Sequence, residues 1–444
     1  MKTVTIHANE YRGKIKKLNG LGGGPRSSMF TYNAVKEFRD AGIPFGRTHD
    51  IEYPLGAGEF VDIHNIFRDF DRDPADPAAY NFVLTDAYLE AMLDAGTKPF
   101  YRLGTSIEHQ KIKRYTYAPK DFTKWAQVCS HIVAHYNEGW ADGYHMGIEY
   151  WEIWNEPDIS ECWLGTYEEY YLLYEITAKL LKKEHPEIKV GGPTVTTPDS
   201  RLTEPFLAYV KETGAPLDFF SWHGYCHTPK EARYYADRSM ELLKKYGFDH
   251  TESVYDEWNY ICDWGKNITL SMNLHKTAFG AAFTSGVLTM LQDSDIDISI
   301  LYDGQVLASI GWNSFFSPAP STAHAGECGV ICEKPYYVLK AWSELARTGE
   351  QIAAEIDCPD IYVTAVRGEK EIKALVTYFN DDECHNYLPP KDDDVTFLLD
   401  GAEYTSVSAR ILDNDRTEEE VTLAEPSLFM KGNETTVLLT FTLK

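Results

Sequence analysis

Basic residues are scarce in this 444-residue chain, which has 42 Lys and Arg against 68 Asp and Glu and a formal net charge of −26. Such a charge is repelled by a nucleic-acid backbone and by an anionic membrane surface, so neither is an expected partner. The sequence also lacks a run of roughly 18 uninterrupted apolar residues, the minimum for a membrane-spanning helix. Internal repeats and low-complexity tracts are missing too. These absences favour a neutral partner in solution.

Cysteine is also scarce, and its positions are scattered: 129, 162, 226, 262, 328, 332, 358 and 384. The one close pair, Cys328 and Cys332, lacks the second pair or nearby histidines of a structural zinc site, so we expect free thiols. The segment Met1–Glu10 lacks the apolar region of about 7–15 residues and the small-residue cleavage site of a secretory signal. The sequence therefore predicts a cytoplasmic protein, provided that no leader has been removed.

From about residue 17 to 349, short β-branched or aromatic runs alternate with amphipathic helical stretches. This pattern is typical of a parallel sheet wound by helices. The predicted strands are Ile15–Leu21, Phe45–Thr48, Pro99–Leu103, Tyr150–Trp154, Lys189–Gly192, Asp218–Trp222, Ser253–Glu257 and Ile298–Tyr302. The predicted helices are Tyr32–Ala41, Asp86–Ala95, Pro119–Tyr136, Tyr167–Glu184, Leu202–Thr213, Pro229–Tyr246, Leu274–Leu291 and Pro335–Ala346. Eight such units predict an α/β fold, a (β/α)8 TIM barrel over residues 15–349.

The pattern changes after Gly349, where apolar residues alternate at strand spacing between polar, turn-rich gaps. The predicted strands are Ile361–Val366, Ile372–Tyr378, Val395–Leu399, Thr405–Ile411 and Thr436–Leu443. They predict a C-terminal antiparallel β-sandwich domain over residues 350–444. An N-terminal strand, Lys2–Ala8 within residues 1–14, is predicted to join that sheet rather than the barrel.

Two glutamates end strand-like runs, Glu156 in Trp154-Asn155-Glu156-Pro157 and Glu257 in Asp256-Glu257-Trp258-Asn259. Two carboxyl groups at strand ends, among aromatic residues, are what attack on a glycosidic bond requires. The glutamates are 101 residues apart, which corresponds to three βα units of roughly 30 residues each. That spacing predicts that they lie on the fourth and seventh strands and face each other across the carboxyl-terminal mouth of the barrel.

The motif Trp154-Asn155-Glu156-Pro157 resembles the acid/base signature of the clan A glycoside hydrolases, which are retaining TIM-barrel enzymes. Within that clan, nearly the whole chain resembles glycoside hydrolase family 39, the β-xylosidases and α-L-iduronidases. Further runs carry this resemblance: Gly22-Gly23-Gly24-Pro25, Arg47-Thr48-His49, Gly191-Gly192-Pro193, Ser221-Trp222-His223 and Asp256-Glu257-Trp258-Asn259. The resemblance implies that Glu156 is the general acid/base and Glu257 the nucleophile of a retaining mechanism.

Residues around these two glutamates are candidates for binding the substrate. Asn155 is expected to hydrogen-bond the sugar 2-hydroxyl, a contact that strengthens in the transition state. His223 and Tyr225, at the end of the sixth strand, are expected beside Glu257, where they would orient it or hold it ionised. A histidine satisfied within the core is the alternative for His223.

Other candidates lie at the ends of the second and eighth strands. His49 and Asp50 are expected to bind the 3- and 4-hydroxyls of a neutral sugar. Tyr302 and Asp303 are expected to close the far wall, although ordinary loop polarity explains Asp303 equally well. The candidates for sugar stacking, each with core packing as the alternative, are Trp258, Trp264 and Trp312.

The residue after the motif, Asp158, is similar to the iduronidase branch, whereas the xylosidases commonly have Asn there. An iduronate carboxylate requires a cationic clamp, but the positions that are basic in iduronidases are Gly224 and Tyr225 here. The sequence therefore predicts an exo-glycosidase without a cofactor that releases a terminal neutral sugar, first β-D-xylose, from short oligosaccharides. A β-glucosidase, β-galactosidase or arabinosidase specificity stays open, as do a non-catalytic carbohydrate-binding barrel and a homo-oligomer. A metal-assisted hydrolase is disfavoured because no HExxH or comparable ligand cluster occurs.

Overall fold

The computed structural model describes residues 2–27, 32–51, 59–265, 268–306, 312–319, 329–381, 384 and 392–444. Its strands are β1 (Lys2–Gly13), β2 (Gly20–Gly22), β3 (Arg26–Ser27), β4 (Tyr32–Asn33), β5 (Phe45–Arg47), β6 (Lys98–Leu103), β7 (Tyr150–Ile153), β8 (Lys189–Val195), β9 (Phe219–His223), β10 (Glu252–Trp258), β11 (Ile298–Tyr302), β12 (Phe316–Pro318), β13 (Val330–Cys332), β14 (Glu350–Ile356), β15 (Ile361–Arg367), β16 (Glu371–Tyr378), β17 (Asp393–Asp400), β18 (Tyr404–Leu412), β19 (Glu419–Thr422), β20 (Ser427–Met430) and β21 (Thr435–Leu443).

Some of the helices begin or end at residues with helix-capping chemistry. The helices are α1 (Val35–Ala41), α2 (Ile63–Ile66), α3 (Val83–Asp94), α4 (Phe122–Glu138), α5 (Tyr167–Glu184), α6 (Thr203–Thr213), α7 (Pro229–Tyr246), α8 (Ile268–Leu274), α9 (Ala278–Gln292) and α10 (Lys334–Thr348), with a 3-10 turn at Pro77–Ala79. Thr166 and Glu169 form a reciprocal capping box at the start of α5, and Gly247 ends α7 in the left-handed conformation. No helix within the described ranges is long and apolar enough to cross a membrane.

Eight parallel strands close into a barrel in the order β2-β5-β6-β7-β8-β9-β10-β11, with β11 beside β2. The predicted TIM barrel is therefore confirmed, and each predicted barrel strand overlaps an observed one. The first prediction, Ile15–Leu21, is displaced because the strand is only Gly20–Gly22. A Cβ on Gly20 would lie 2.9 Å from the carbonyl oxygen of Ser299, so this strand approaches its neighbour more closely than a larger residue allows.

The barrel interior has two layers, because residues i and i+2 of a strand face the same side. The apolar layer lies toward the amino-terminal strand ends and comprises Phe45, Phe100, Tyr150, Phe219, Val254, Ile298 and Ile300. Two positions further along three of these strands lie the residues of the charged layer, Arg47, Glu152 and Asp256, which are almost fully buried. The charged layer forms the floor of the carboxyl-terminal mouth.

The second sheet contains nine strands in the order β19-β18-β21-β16-β15-β14-β1-β17-β20. The N-terminal strand β1 belongs to it, as predicted, and pairs antiparallel with β14. Its other partner, β17, runs parallel to it with Lys2 opposite Val395, so this sheet is not purely antiparallel. Strands β14, β19 and β20 were not predicted. A separate hydrophobic core forms on the sheet around residues such as Val4, Phe397 and Phe441, while the predicted division of the chain at residues 15 and 350 stays a prediction.

A disulfide between Cys262 and Cys384, with Cα atoms 5.5 Å apart, joins the loop after β10 to the second sheet's side of the molecule. The expectation of free thiols was wrong for these two cysteines, because partners 122 residues apart leave no local spacing signal. Cys129, Cys162, Cys226, Cys332 and Cys358 are free, and position 328 lies outside the described residues. Near the disulfide, Tyr260 donates a hydrogen bond to Asp381 Oδ2 over 2.6 Å.

Candidate active site

Glu156 lies just beyond the end of β7, where the backbone turns sharply. Trp154 and Glu156 both have positive φ angles, 77° and 43°, a conformation that is uncommon for residues other than glycine and is concentrated at functional sites. The Glu156 amide donates to the Thr194 carbonyl oxygen over 2.9 Å. This bond fixes the turn against the neighbouring strand β8 and directs the Glu156 carboxyl group into the mouth.

Glu257 is positioned by a β-bulge in β10. Tyr255 pairs with Trp222 and Glu257 with the next residue, His223, so β10 contains one extra residue relative to β9. A bulge changes the direction of the following side chains, and here Asp256 and Glu257 both reach the barrel interior. Two consecutive acidic side chains therefore face the same side of one strand.

The two glutamates approach each other across the mouth with His223 between them. A carboxylate oxygen from each, together with a ring nitrogen of His223, lie within 4.8 Å of one another. His223 Nδ1 is hydrogen-bonded to Glu156 Oε1 at 2.8 Å, whereas its Nε2 lies 3.6 Å from Glu257 Oε2. His223 thus lies beside Glu257, while its hydrogen bond is made to Glu156, because the Glu156 turn brings that carboxyl group closer to the ring.

Arg47 is a buried site residue to which sequence reasoning assigned no role. It donates to Glu257 Oε2 over 3.0 Å and to Asn155 Oδ1 over 2.7 Å. It also donates to Glu152 Oε2 over 2.8 Å and lies 3.2 Å from Asp256 Oδ2. The signal that could have identified it is its position two residues after Phe45, which predicts an inward-facing cation. Its fixed positive charge beside Glu257 disfavours a metal ion bound by Glu156, His223 and Glu257.

The surroundings of the two carboxyl groups differ. Burial, together with the negative charge of Asp158, raises the pKa of Glu156 to about 8. Burial also raises the pKa of Glu257, but the positive charge of Arg47 and a hydrogen bond from Tyr225 oppose that rise. Tyr225 donates to Glu257 Oε1 over 2.7 Å. Glu257 therefore has a cation and a hydroxyl donor that favour its ionised form, whereas the surroundings of Glu156 favour its protonated form.

His223 is uncharged at neutral pH. Burial lowers its pKa to about 4, against the opposing effect of the Glu257 charge. In the floor below, burial and the neighbouring Glu152 raise the pKa of Asp256 far above its usual range. Among the carboxyl groups that Arg47 faces, Asp256 is therefore the one whose ionisation is most strongly opposed by its surroundings.

A cavity of about 460 Å³ lies above the two glutamates, a size within the range of sites for small ligands. Its walls include the following predicted site residues: His49, Asp50, Asn155, Glu156, Tyr225, Glu257, Trp264, Tyr302 and Trp312. Tyr302 donates to Asp50 Oδ2 over 2.7 Å, and His49 Nε2 lies 3.2 Å from the same oxygen. The wall residues come from β5, β7, β9, β10 and β11 and the loops that follow these strands, so the barrel brings distant parts of the chain together.

Two predicted wall residues lie elsewhere. Trp258 is fully buried and donates through Nε1 to Ser299 Oγ over 2.7 Å, which agrees with core packing, the alternative to sugar stacking at this position. The bulge explains this, since it leaves Glu257 facing inward and the next residue facing the surrounding helices. Asp303 does not line the cavity either; its carboxylate accepts from the Gln305 amide over 3.1 Å, and burial raises its pKa to about 7.

Further cavity residues had not been predicted as site residues: Ile107, His109, Ile159, Thr196, Thr197, Gly224 and Tyr235. Most of them lie on loops after barrel strands, and apart from His109 and Tyr235 their side chains carry no acid–base chemistry. The only available signal was their location at the carboxyl-terminal face of the barrel, where loops form binding clefts.

A closed (β/α)8 barrel with two carboxyl groups opposed across its mouth is the arrangement of the glycoside hydrolases that use paired Asp or Glu residues. The sequence profile described as "Glycosyl hydrolases family 39" matches residues 6–417. The chain belongs to this family.

Relatives and solved structures agree with this assignment. A β-xylosidase from Geobacillus stearothermophilus is 26% identical over 269 residues, 53% of this chain and 51% of that protein. A β-xylosidase from Caldicellulosiruptor saccharolyticus is 26% identical over 326 residues, 68% of this chain and 64% of that protein. The chain thus spans between half and two thirds of the length of these relatives. The crystal structure of a glucosidase from Croceicoccus marinus has the same fold, with a TM-score of 0.76, 22% identity and full coverage of both chains.

Proposed function

We propose that this protein is a retaining exo-glycosidase that releases a terminal neutral sugar, first β-D-xylose, from short oligosaccharides. The observation that carries the proposal is the separation of the Glu156 and Glu257 carboxylate oxygens, which lie within 4.8 Å of each other. Retaining glycosidases have carboxyl groups about 5–5.5 Å apart, whereas inverting enzymes separate them by roughly 6.5–9.5 Å to admit water. The short separation supports double displacement.

In the first step, Glu257 attacks the anomeric carbon while Glu156 donates its proton to the glycosidic oxygen. The bond to the leaving group breaks and a glycosyl–Glu257 ester forms. In the second step, Glu156 takes a proton from water, which attacks the same carbon and releases Glu257. The pKa of Glu156, raised to about 8 by burial, suits a group that must hold a proton at neutral pH. Arg47 and Tyr225 support the ionised nucleophile.

The cavity walls supply groups for a neutral sugar. Arg47 occupies the side-chain oxygen of Asn155, which leaves the Asn155 amide to donate to the 2-hydroxyl. In this proposal His49 and Asp50 bind the 3- and 4-hydroxyls of the sugar. Trp264 and Trp312, with ring centroids 5.7 Å apart, form an aromatic wall against which the sugar packs.

The similarity of this chain to two proteins named β-xylosidase is the reason for proposing xylose before other terminal sugars. A β-glucosidase is the second candidate, because a hydroxymethyl group is a small addition in a cavity of about 460 Å³. A panel of aryl β-xyloside, β-glucoside, β-galactoside and α-arabinoside separates these possibilities. Comparable rates on the xyloside and the glucoside would contradict a strict xylosidase, and binding without turnover of any glycoside would support a carbohydrate-binding barrel.

The mechanism is tested with substitutions of both glutamates. Glu257→Ala should lower turnover of an aryl glycoside by on the order of 10⁴-fold, because the covalent intermediate cannot form. Glu156→Ala should slow the hydrolysis of glycosides with poor leaving groups far more than that of activated aryl glycosides. Azide should restore activity and give a β-glycosyl azide. Exposed Glu168→Ala is the matched control and should match the wild type. An inverted product, or a Glu257→Ala enzyme of normal rate, would contradict the proposed roles.

A further inference from the structure

A second cavity, of about 690 Å³, lies beside the one that contains the two glutamates. Ile107 lines both cavities. The segment after it forms the ridge between them, with His109 facing the first cavity and Glu108 and Gln110 facing the second. The two cavities therefore adjoin along one short loop.

This loop is fastened to the loop that carries Glu156. The Glu108 amide donates to the Glu161 carbonyl oxygen over 2.9 Å, and the Leu164 amide donates to the Thr116 carbonyl oxygen over 2.8 Å. Because Glu156 is the proposed proton donor to the leaving group, the second cavity lies on the leaving-group side of the bond to be cleaved.

Two cations face this cavity, although the chain as a whole carries a net charge of −26. Lys111 and Arg114 line it, and both are exposed. Within the part of the chain that the structure describes, neither side chain has an ion-pair partner. Both charges are therefore available to a bound anion.

The carboxyl groups that line the same cavity are largely occupied. Asp62 accepts from Arg102 over 2.6 Å and from the Ser106 amide over 2.8 Å. The Glu108 carboxylate accepts from the backbone amides of residues 114, 115 and 116 at 2.9–3.1 Å. Glu59 is the third carboxyl group; the backbone contacts of Glu108 leave its negative charge in place, so Glu59 and Glu108 are the two carboxylates that a bound anion would have to avoid.

The cavity also offers an aromatic surface. The Tyr115 ring is stacked on His64, with centroids 3.6 Å apart and an interplanar angle of 4°. Tyr115 is 47% exposed, so one side of this stack is open to a ligand. A supported aromatic ring beside polar groups is suited to packing against the face of a sugar.

We propose that this second cavity is a subsite for an anionic sugar residue on the leaving-group side, in which Lys111 and Arg114 bind the anion and Tyr115 packs against the ring. The proposal rests on the proposed function and specifies its substrate: a neutral terminal sugar attached to an acidic oligosaccharide. A uronic acid carboxylate and a sulfate ester share the required chemistry, since Arg and Lys bind both.

The test compares kcat/KM for oligosaccharides that carry the terminal sugar cleaved by the wild type and differ only in the next residues, which are neutral, contain a uronic acid or bear a sulfate ester. The wild type should favour an acidic substrate by about 3- to 10-fold, as expected for two partly exposed charge contacts. Lys111→Ala/Arg114→Ala should bring the ratio close to one, as should about 0.5 M salt, which screens exposed charges. The control Lys120→Ala removes a nearby exposed charge that does not line the cavity and should keep the wild-type ratio.

Calorimetric affinities for the same oligosaccharides give a second measurement that needs no turnover. An acidic preference that disappears in the double variant supports the subsite, and the larger of the two ratios identifies the anion. Equal kcat/KM and equal affinity for acidic and neutral oligosaccharides would overturn it, as would an acidic preference that survives in a folded double variant. If no glycoside is cleaved but the affinity preference persists, the proposed function fails while the subsite stands.

Discussion

The two layers inside the barrel are built on the same strands but differ in chemistry. The apolar layer contains aromatic and aliphatic side chains such as Phe45 and Val254, and two positions further along come Arg47 and Asp256. The apolar layer excludes water beneath the charged one, which strengthens every electrostatic interaction there. The pKa values of the carboxyl groups in the mouth therefore depend on both layers: the charged layer supplies the nearby charges, and the apolar layer beneath it keeps water away from them.

The layers also differ in how they contribute to stability. Burial of large apolar side chains stabilises the fold directly, whereas buried charges are stable only when they are paired. Arg47 lies among Glu152, Asp256 and Glu257, so a single cation compensates the whole charged layer. Removing the Arg47 cation should therefore lower the free energy of unfolding more than removing any one apolar contact.

The largest effect is therefore expected for Arg47→Met. Removing the cation leaves buried carboxyl groups without compensation, which should lower the free energy of unfolding by about 3–5 kcal/mol and abolish turnover. Urea unfolding and aryl glycoside hydrolysis measure the two effects. Arg238→Met, which breaks the more exposed contact with Asp199 at 2.9 Å, is the control and should cost about 1 kcal/mol or less. Equal stability of Arg47→Met and the wild type would contradict this account.

A smaller effect is expected for Phe100→Leu in the apolar layer. Phe100 is fully buried and packs against Tyr150 with ring centroids 5.1 Å apart. The smaller side chain should lower the free energy of unfolding by roughly 1 kcal/mol. The pH dependence of kcat/KM should stay that of the wild type, because the charges above are untouched. A displaced pH profile would mean that the two layers are not separable.

The smallest effect is expected for Asp158→Asn, whose charge contributes to the raised pKa of Glu156. Glu156 must be protonated to act as the acid, so kcat/KM should fall as the pH rises through its pKa, about 8. Removing the negative charge lowers that pKa, and the alkaline limb of the profile should move to lower pH. Asp199→Asn, on the exposed surface, should not move it. An alkaline limb that moves to higher pH would contradict the electrostatic account.

Much of the fold could be predicted because local chemistry specifies it. Helices α5 and α7 have the predicted bounds, since a capping box begins one and a first-turn proline the other. The displaced first barrel strand shows the limit. The predicted strand Ile15–Leu21 began five residues too early, because the close approach that starts the strand at Gly20 depends on Ser299, which is distant in sequence.

In the candidate site, too, the features specified by local sequence could be predicted, whereas those that depend on contacts distant in sequence could not. The motifs around Glu156 and Glu257 could be found from the sequence, and the barrel then predicted that they face each other. The inward direction of Glu257, directly after the inward-facing Asp256, and the outward burial of Trp258 depend on the bulge, which the sequence pattern of the strand does not reveal. The disulfide of Cys262 likewise needs two loops that meet only in the folded chain.

The bulge in β10 also limits how this mouth can be transferred to another barrel. Grafting Asp256-Glu257-Trp258 onto a strand of regular pleat would turn one of the two acids toward the helices, even though every residue had been copied. Deleting one residue from Glu252–Trp258 would have the same result in this protein. In protein design, the extra residue in this strand is therefore as much a part of the catalytic motif as the identities of its residues.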